Sequence, residues 1–207
     1  MEQLGVIKEL PINPCLYNYS AVLDYIDHTK VSRVKTKYSK GDAWTALSLR
    51  GYDEDPRNIL KPNVLGSKVN TEAKLQDTHL LGNPSFRAVR DIMSKIPSTF
   101  ERVRLMKIKA NSEIGKHSDK IDKDFGFDDG NIVRIHVPIR TNEDVTFYLW
   151  EGKEKLANHL QVGHFYYVDV RAPHSVVNNS NEDRIHLVMD TYVNHEVKEL
   201  LGLASFW

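Results

Sequence analysis

The sequence predicts a mainly β fold with flanking helices, arranged as a double-sheet jelly roll. Three observations carry this. From residue 99 onward, runs of alternating apolar and polar residues recur at 100–108, 131–139 and 145–150, the period-2 pattern of strands. Turn-forming residues separate them, as in Thr141-Asn142-Glu143-Asp144, at Gly152 and at Gly163. Helical spacing is confined to the first half and the far end. About six short strands with turns between them suit two packed sheets.

The elements follow in order. Residues 6–10 predict a short strand that ends at Pro11 and Pro14. In 19–27, Ala21, Val22, Tyr25 and Ile26 share a helical face. Residues 44–49 read as extended, and 53–63, with Pro56 and Pro62, as a loop. The clearest helix is 84–96. Asn83 caps it, Pro84 takes the first turn, and Phe86, Val89, Ile92, Met93 and Ile96 form a core stripe before Pro97 ends it. After 155–161, a strand is expected over 163–170. A hairpin then joins 174–180 to a strand at 184–189, and 195–201 closes the chain as a helix. The expectation is one domain over 1–207. In it, 1–98 supply strands and helices that pack on the sheet, and 99–193 supply the jelly-roll core.

The chain has 28 basic and 28 acidic residues, so its formal charge is zero. That argues against a nucleic-acid partner, which needs a basic patch or stripe. The basic run at 30–40 reads as a solvated face. With Cys15 as the single cysteine, no intrachain disulfide can form. No apolar run approaches the ~18 residues of a membrane span, and the N-terminus lacks the pattern of a signal peptide. These features predict a soluble, cytoplasmic protein without a membrane partner.

The most informative residues are His117-Ser118-Asp119 and His174. Side chains at i and i+2 of an extended segment point the same way, so His117 and Asp119 can reach one ion together. With His174 from a distant strand they make a two-histidine, one-carboxylate set. That set suits iron(II) and leaves coordination positions open for a co-substrate and O₂. A bare His-x-Asp is weak, and the chain has nine histidines. The context of His174 is stronger: a strand, a turn at Arg171-Ala172-Pro173, His174 at its mouth, then a strand opening with Arg184. A guanidinium there would bind a carboxylate in a bidentate pair.

The series His117-x-Asp119, Arg134-x-His136-x-Pro138-Ile139, His174-x-Val176-x-Asn178-x-Ser180 and Arg184-x-His186-Leu187-x-x-Asp190 resembles the aspartyl/asparaginyl β-hydroxylase family over about 100–193. The resemblance implies a cupin-like double-stranded β-helix and an Fe(2+)- and 2-oxoglutarate-dependent dioxygenase that uses O₂. It implies that His117, Asp119 and His174 hold the metal. Arg184 would then pair with the far carboxylate of 2-oxoglutarate, and Arg134 and His136 would line the same site. In the animal members a glycine stands where Asp119 stands here, so this chain is more like the bacterial amino-acid hydroxylases. A carboxylate at that position also departs from related halogenases.

The resemblance implies a small-molecule substrate, a free amino acid or derivative, hydroxylated at an unactivated C–H bond while 2-oxoglutarate becomes succinate. Hydroxylation of an Asp, Asn or other side chain in a peptide is the alternative. A metal-dependent isomerase or epimerase, or a non-catalytic binding module, is a further one. Arg50 is the expected cation for a substrate carboxylate, with Trp44, Tyr52 and Trp150 completing the pocket. His186 shares parity with Arg184, and Asn178 and Ser180 read as turn residues. The acidic stretch from Asp122 to Asp129 reads as an entrance loop that suits a substrate amine or is merely a solvated turn.

Overall fold

The computed structural model describes residues 4–29, 32–33, 38–39, 43–64, 67–119 and 124–203. Most of the basic run at 30–40, and Asp122, lie outside these residues.

Among the described residues, twelve strands and four α-helices follow in chain order: β1 (Ile7–Glu9), α1 (Ser20–His28), β2 (Ser32–Arg33), β3 (Trp44–Gly51), β4 (Gln76–Asp77), α2 (His79–Gly82), α3 (Arg87–Met93), β5 (Phe100–Ile108), β6 (Ser112–His117), β7 (Ile132–Arg140), β8 (Val145–Glu151), β9 (Glu154–Asn158), β10 (Tyr166–Val168), β11 (His174–Asn178), β12 (Arg184–Tyr192) and α4 (His195–Leu201). The larger sheet runs β1-β10-β7-β12-β5-β3-β2, with β4 also on β3. The smaller runs β6-β11-β8-β9. Ladders in both are antiparallel. This is the jelly roll that the spacing predicted.

Alternation assigns the two faces of the larger sheet. Val103, Leu105, Val133, Ile135, Val137, Ile185, Leu187 and Met189 pack in one core with Val22 and Ile26 of α1 and Val89 and Ile92 of α3. The opposite face meets the small sheet. There Ile108, Tyr166 and Val168 pack against Ile114, Phe147, Leu149 and Val176. On this inner face β5, β7 and β12 also carry the polar residues Arg102, Arg104, Arg134, His136, Arg184, His186 and Asp190, all buried. Apolar–polar alternation usually marks a strand with one wet face. Here the polar face is covered by a second sheet, which makes it a candidate site.

Local chemistry explains the helix ends. Asn83 Oδ1 accepts a hydrogen bond from the Ser85 amide, but Pro84–Phe86 forms a 3₁₀ turn and the α-helix occupies only Arg87–Met93. The expected α-helical extension to Ile96 instead tightens into i→i+3 turns, with Lys95 N–H donating to the Ile92 carbonyl and Ile96 N–H to that of Met93, before Pro97 stops the chain from continuing. Helix α4 spans the predicted residues. Asn194 accepts from the Val197 amide at its start, and Gly202 (φ 71°) takes the left-handed position at its end.

Two expectations change. The strand over 163–170 narrows to Tyr166–Val168 because Gly163 turns at φ 80°, where a Cβ would meet the Cys15 carbonyl oxygen at 2.5 Å. The segments after His174 and Arg184 do not pair as a hairpin. β11 joins β6 and β8, whereas β12 joins β5 and β7. The link between them crosses from one sheet to the other. Asn178 fixes that crossing by donating to the carbonyls of Ile108, Lys109 and Glu182. The crossing places His174 and Arg184 on opposing walls of one cavity.

Candidate metal centre and its cavity

β6 and β11 are neighbours, and their register sets His117 opposite His174. Asp119 lies two residues beyond β6, where its amide donates to the Val170 carbonyl at 2.9 Å. One ligand atom each from His117, Asp119 and His174 falls within 4.8 Å of the others, close enough to share one ion. The hydrogen bonds fit a metal. His117 Nδ1 lies 2.8 Å from the Gly115 carbonyl and His174 Nδ1 lies 3.0 Å from that of Ala172. Each Nδ1–H therefore donates to backbone, and each Nε2 keeps its lone pair. His117 Nε2 is buried without a hydrogen-bond partner, as a ligand atom awaiting an ion would be. Tyr38 stacks on His117 at 4.8 Å and Phe147 on His174 at 6.0 Å, fixing both rings.

Protonation matches ligation. Burial pushes His174 down to about 4, more than Asp119 raises it, so the imidazole is neutral. For Asp119, burial pushes upward, but Arg134 and the histidines outweigh it and hold the carboxyl below its ordinary range. Arg134 bonds to Asp119 through Nη1 and to Asp190 Oδ1 through Nε at 2.7 Å. Asp190, 0% exposed, also receives Arg102 Nη2 at 2.9 Å and Arg104 Nη2 at 2.5 Å. Burial alone would raise its pKa, but the three guanidiniums hold it well below the carboxylate range.

Arg184 differs. It is 3% exposed, its Nε has no partner, and among the described residues no carboxylate pairs with it. Its Nη2 donates to His186 Nδ1 at 2.6 Å, and burial pushes its pKa down to about 9. His136 Nδ1 lies 3.4 Å from His186 Nδ1, and the Nε2 atoms of both histidines are unpartnered. A buried cation beside neutral imidazoles is costly unless an anion joins it.

Between the sheets lies a cavity of about 700 Å³ bordered by His117, Asp119, His174, Arg134, His136 and Arg184. Trp44 borders it too. Three residues expected there, Arg50, Tyr52 and Trp150, do not. Arg50 Nε donates to the Phe100 carbonyl at 2.8 Å and its Nη1 pairs with Asp77 at 2.7 Å; a bulge between Ser48 and Arg50 shifts its register. Trp150 takes the outer parity of β8, where Lys116 Nζ sits 4.0 Å from its ring centroid, while Phe147 points inward. Tyr52 instead donates to Glu101 at 2.8 Å. In the acidic loop, Asp124 approaches Lys61 at 3.6 Å and Asp129 pairs with Lys198 at 2.9 Å. Sequence reading missed Arg102, Arg104, Tyr38 and Phe147 on the cavity wall. The period of 100–108 already placed both arginines on one face.

The buried imidazoles predict a pH dependence for the metal-free protein. Burial is the largest cause lowering His136 and His186 well below 6.5. In the unfolded chain they protonate near 6.5, so below that pH the unfolded state binds more protons and stability falls as pH falls. The urea midpoint is expected to drop from pH 7 to pH 5. An unchanged midpoint would show that these imidazoles protonate within the fold.

The fold is shared with known structures at low identity. A prolyl hydroxylase from Trichoplax adhaerens, in complex with a hypoxia inducible factor oxygen degradation domain peptide fragment, superposes with a TM-score of 0.56 at 13% identity, over 97% of this chain and 88% of that one. An oxidoreductase of the 2OG-Fe(II) oxygenase family from Burkholderia pseudomallei gives 0.51 at 14%, over 84% and 81%. The non-heme alpha ketoglutarate dependent epimerase SnoN from nogalamycin biosynthesis gives 0.50 at 13%, over 93% and 79%. The model of the aspartyl/asparaginyl beta-hydroxylase family matches residues 18–194, most of the sequence and every residue of the site. This chain therefore belongs to the aspartyl/asparaginyl β-hydroxylase family and is an oxygenase.

Proposed function

We propose that the protein is an iron(II)- and 2-oxoglutarate-dependent dioxygenase, acting as one domain, that hydroxylates an unactivated C–H bond of a free amino acid or small derivative. One observation carries the co-substrate reading: the buried guanidinium of Arg184, without an acidic partner among the described residues, shares a cavity with His117, Asp119 and His174. A dianionic keto acid suits both ends. An isomerase that used the metal only as a Lewis acid would leave Arg184 without a task.

In this reading His117 Nε2, Asp119 and His174 Nε2 hold the metal, with each histidine oriented by its backbone acceptor. Iron bound there would supply O₂ activation, one oxygen atom entering the product and one entering succinate as 2-oxoglutarate loses CO₂. The chain's own groups supply position and charge. Arg134 orients Asp119 and ties it to Asp190. Arg184 takes the far carboxylate, and His186 holds its guanidinium in place. Covering by the second sheet keeps water from these charges, which strengthens each interaction.

The test is anaerobic titration of 2-oxoglutarate into the iron(II)-loaded protein, followed by succinate release in air with an amino-acid panel. Iron binding without 2-oxoglutarate binding would exclude the reading. His186 gives a finer prediction. His186→Leu removes the acceptor for Arg184 and is expected to weaken 2-oxoglutarate binding roughly tenfold or more, while iron affinity is unchanged. His186→Asn keeps an acceptor near the position of Nδ1 and is expected to stay within about threefold of the parent. Equal affinities for the two variants would mean that His186 does not position Arg184.

A further inference from the structure

Beside the metal site lies a third apolar cluster, separate from the two cores. Ala46, Met106 and Val188 form it, with Trp44 and Ile59 packed against them. Trp44, Ile59, Met106 and Val188 border the cavity, joined by Leu60 and Val64 from the loop after β3. The register explains the strip. Ala46 pairs with Met106 across β3 and β5, and Val188 of β12 faces the same cavity from the next strand. Three strands at about 4.8 Å spacing give the strip a width of roughly 10 Å. That is longer than an Asp or Asn side chain. Among the described residues bordering the cavity the only acid is Asp119, which faces the histidines and is engaged by Arg134. Nothing on this wall suits a side-chain ammonium or guanidinium, and a carboxamide laid on it would lose its hydrogen bonds to water.

We infer that this strip is the subsite for the side chain that is oxidised, and that the substrate is a free amino acid with an extended aliphatic side chain, not Asp, Asn, Lys or Arg. The inference rests on the dioxygenase reading and narrows it. The cavity volume falls within the range of sites that enclose ligands larger than a small amino acid. No acid from residues 124–129 borders the described cavity wall, so the described part of the acidic loop offers a cationic side chain no partner there.

The test uses the protein loaded anaerobically with iron(II) and 2-oxoglutarate, so that binding is read without turnover. Alanine, 2-aminobutyrate, norvaline and norleucine are titrated by calorimetry. Affinity is expected to rise about fourfold per methylene, and norleucine is expected to bind at least tenfold tighter than aspartate, asparagine or lysine. Ile59→Ser on the loop and Met106→Gln on β5 are expected to flatten the series and leave 2-oxoglutarate affinity unchanged. The loop variant keeps the test alive where Met106→Gln perturbs the sheet. A flat series, a preference for a charged side chain, or no binding of any free amino acid overturns the inference. Binding of 2-oxoglutarate without an amino acid tests the underlying reading separately.

Discussion

Arg184→Met is expected to weaken 2-oxoglutarate binding by 10²–10³-fold, on the order of the 2–5 kcal/mol lost when one member of a buried charge pair is truncated. The same variant is expected to melt a few degrees higher than the parent when both are metal-free. Its guanidinium is buried, its Nε lacks a partner, and no described carboxylate pairs with it. The fold therefore bears the cost of a desolvated charge, several kcal/mol, offset by one hydrogen bond to His186 worth about 1.5–3 kcal/mol. A methionine of similar length removes both terms, and the difference favours the variant. Stability rising as affinity falls is the mark of a group kept for its ligand. His174→Ala should differ, losing the metal and with it all turnover. Calorimetry with 2-oxoglutarate and paired thermal melts check both halves. A lower melting temperature together with unchanged affinity would make Arg184 a structural residue.

Much of the site was legible in sequence because its residues sit at strand-determined spacings. His117 and Asp119 are two apart, so local geometry could aim that pair before any tertiary fact was known, whereas Arg184 faces His174 only because the chain crosses between sheets. The metal set and the two arginine motifs needed only period-2 reasoning and the resemblance. The failures are tertiary. Arg50 was placed by its local setting, but a bulge in β3 changed its register and Asp77 lay within reach. Trp150 has the right composition and the wrong parity. Whether 174–180 and 184–189 pair as a hairpin or cross between sheets depends on partners 25 to 91 residues away, which no local pattern encodes. The alternation at 100–108 put Arg102 and Arg104 on one face, but sequence shows the alternation and not the sheet that covers it.

Asp190→Asn is expected to cost about 3–5 kcal/mol of stability, the range for removing one member of a buried ion network. For a domain of this size that lowers the melting temperature by roughly 6–20 °C. The carboxylate is fully buried and bonded to Arg102, Arg104 and Arg134. An amide leaves three guanidiniums crowded around a neutral group that can itself only donate through its nitrogen. The sign of the pH effect follows. Because the folded carboxyl is held well below its ordinary 3.8, its stabilisation is full above the unfolded value and fades as pH falls beneath it. The gap between parent and variant should therefore be constant from pH 5 to 7 and shrink below about 3.8. Function responds through Arg134, which links Asp190 to Asp119. In Asp190→Asn the metal carboxylate loses its fixed partner, so iron affinity is expected to fall even in the fraction that stays folded. Arg184→Met changes 2-oxoglutarate affinity and spares the metal. Urea melts across pH and iron titrations separate the two variants. Equal stability of Asp190→Asn and the parent at pH 7 would mean that the three arginines are held by other groups and that Asp190 is not their anchor.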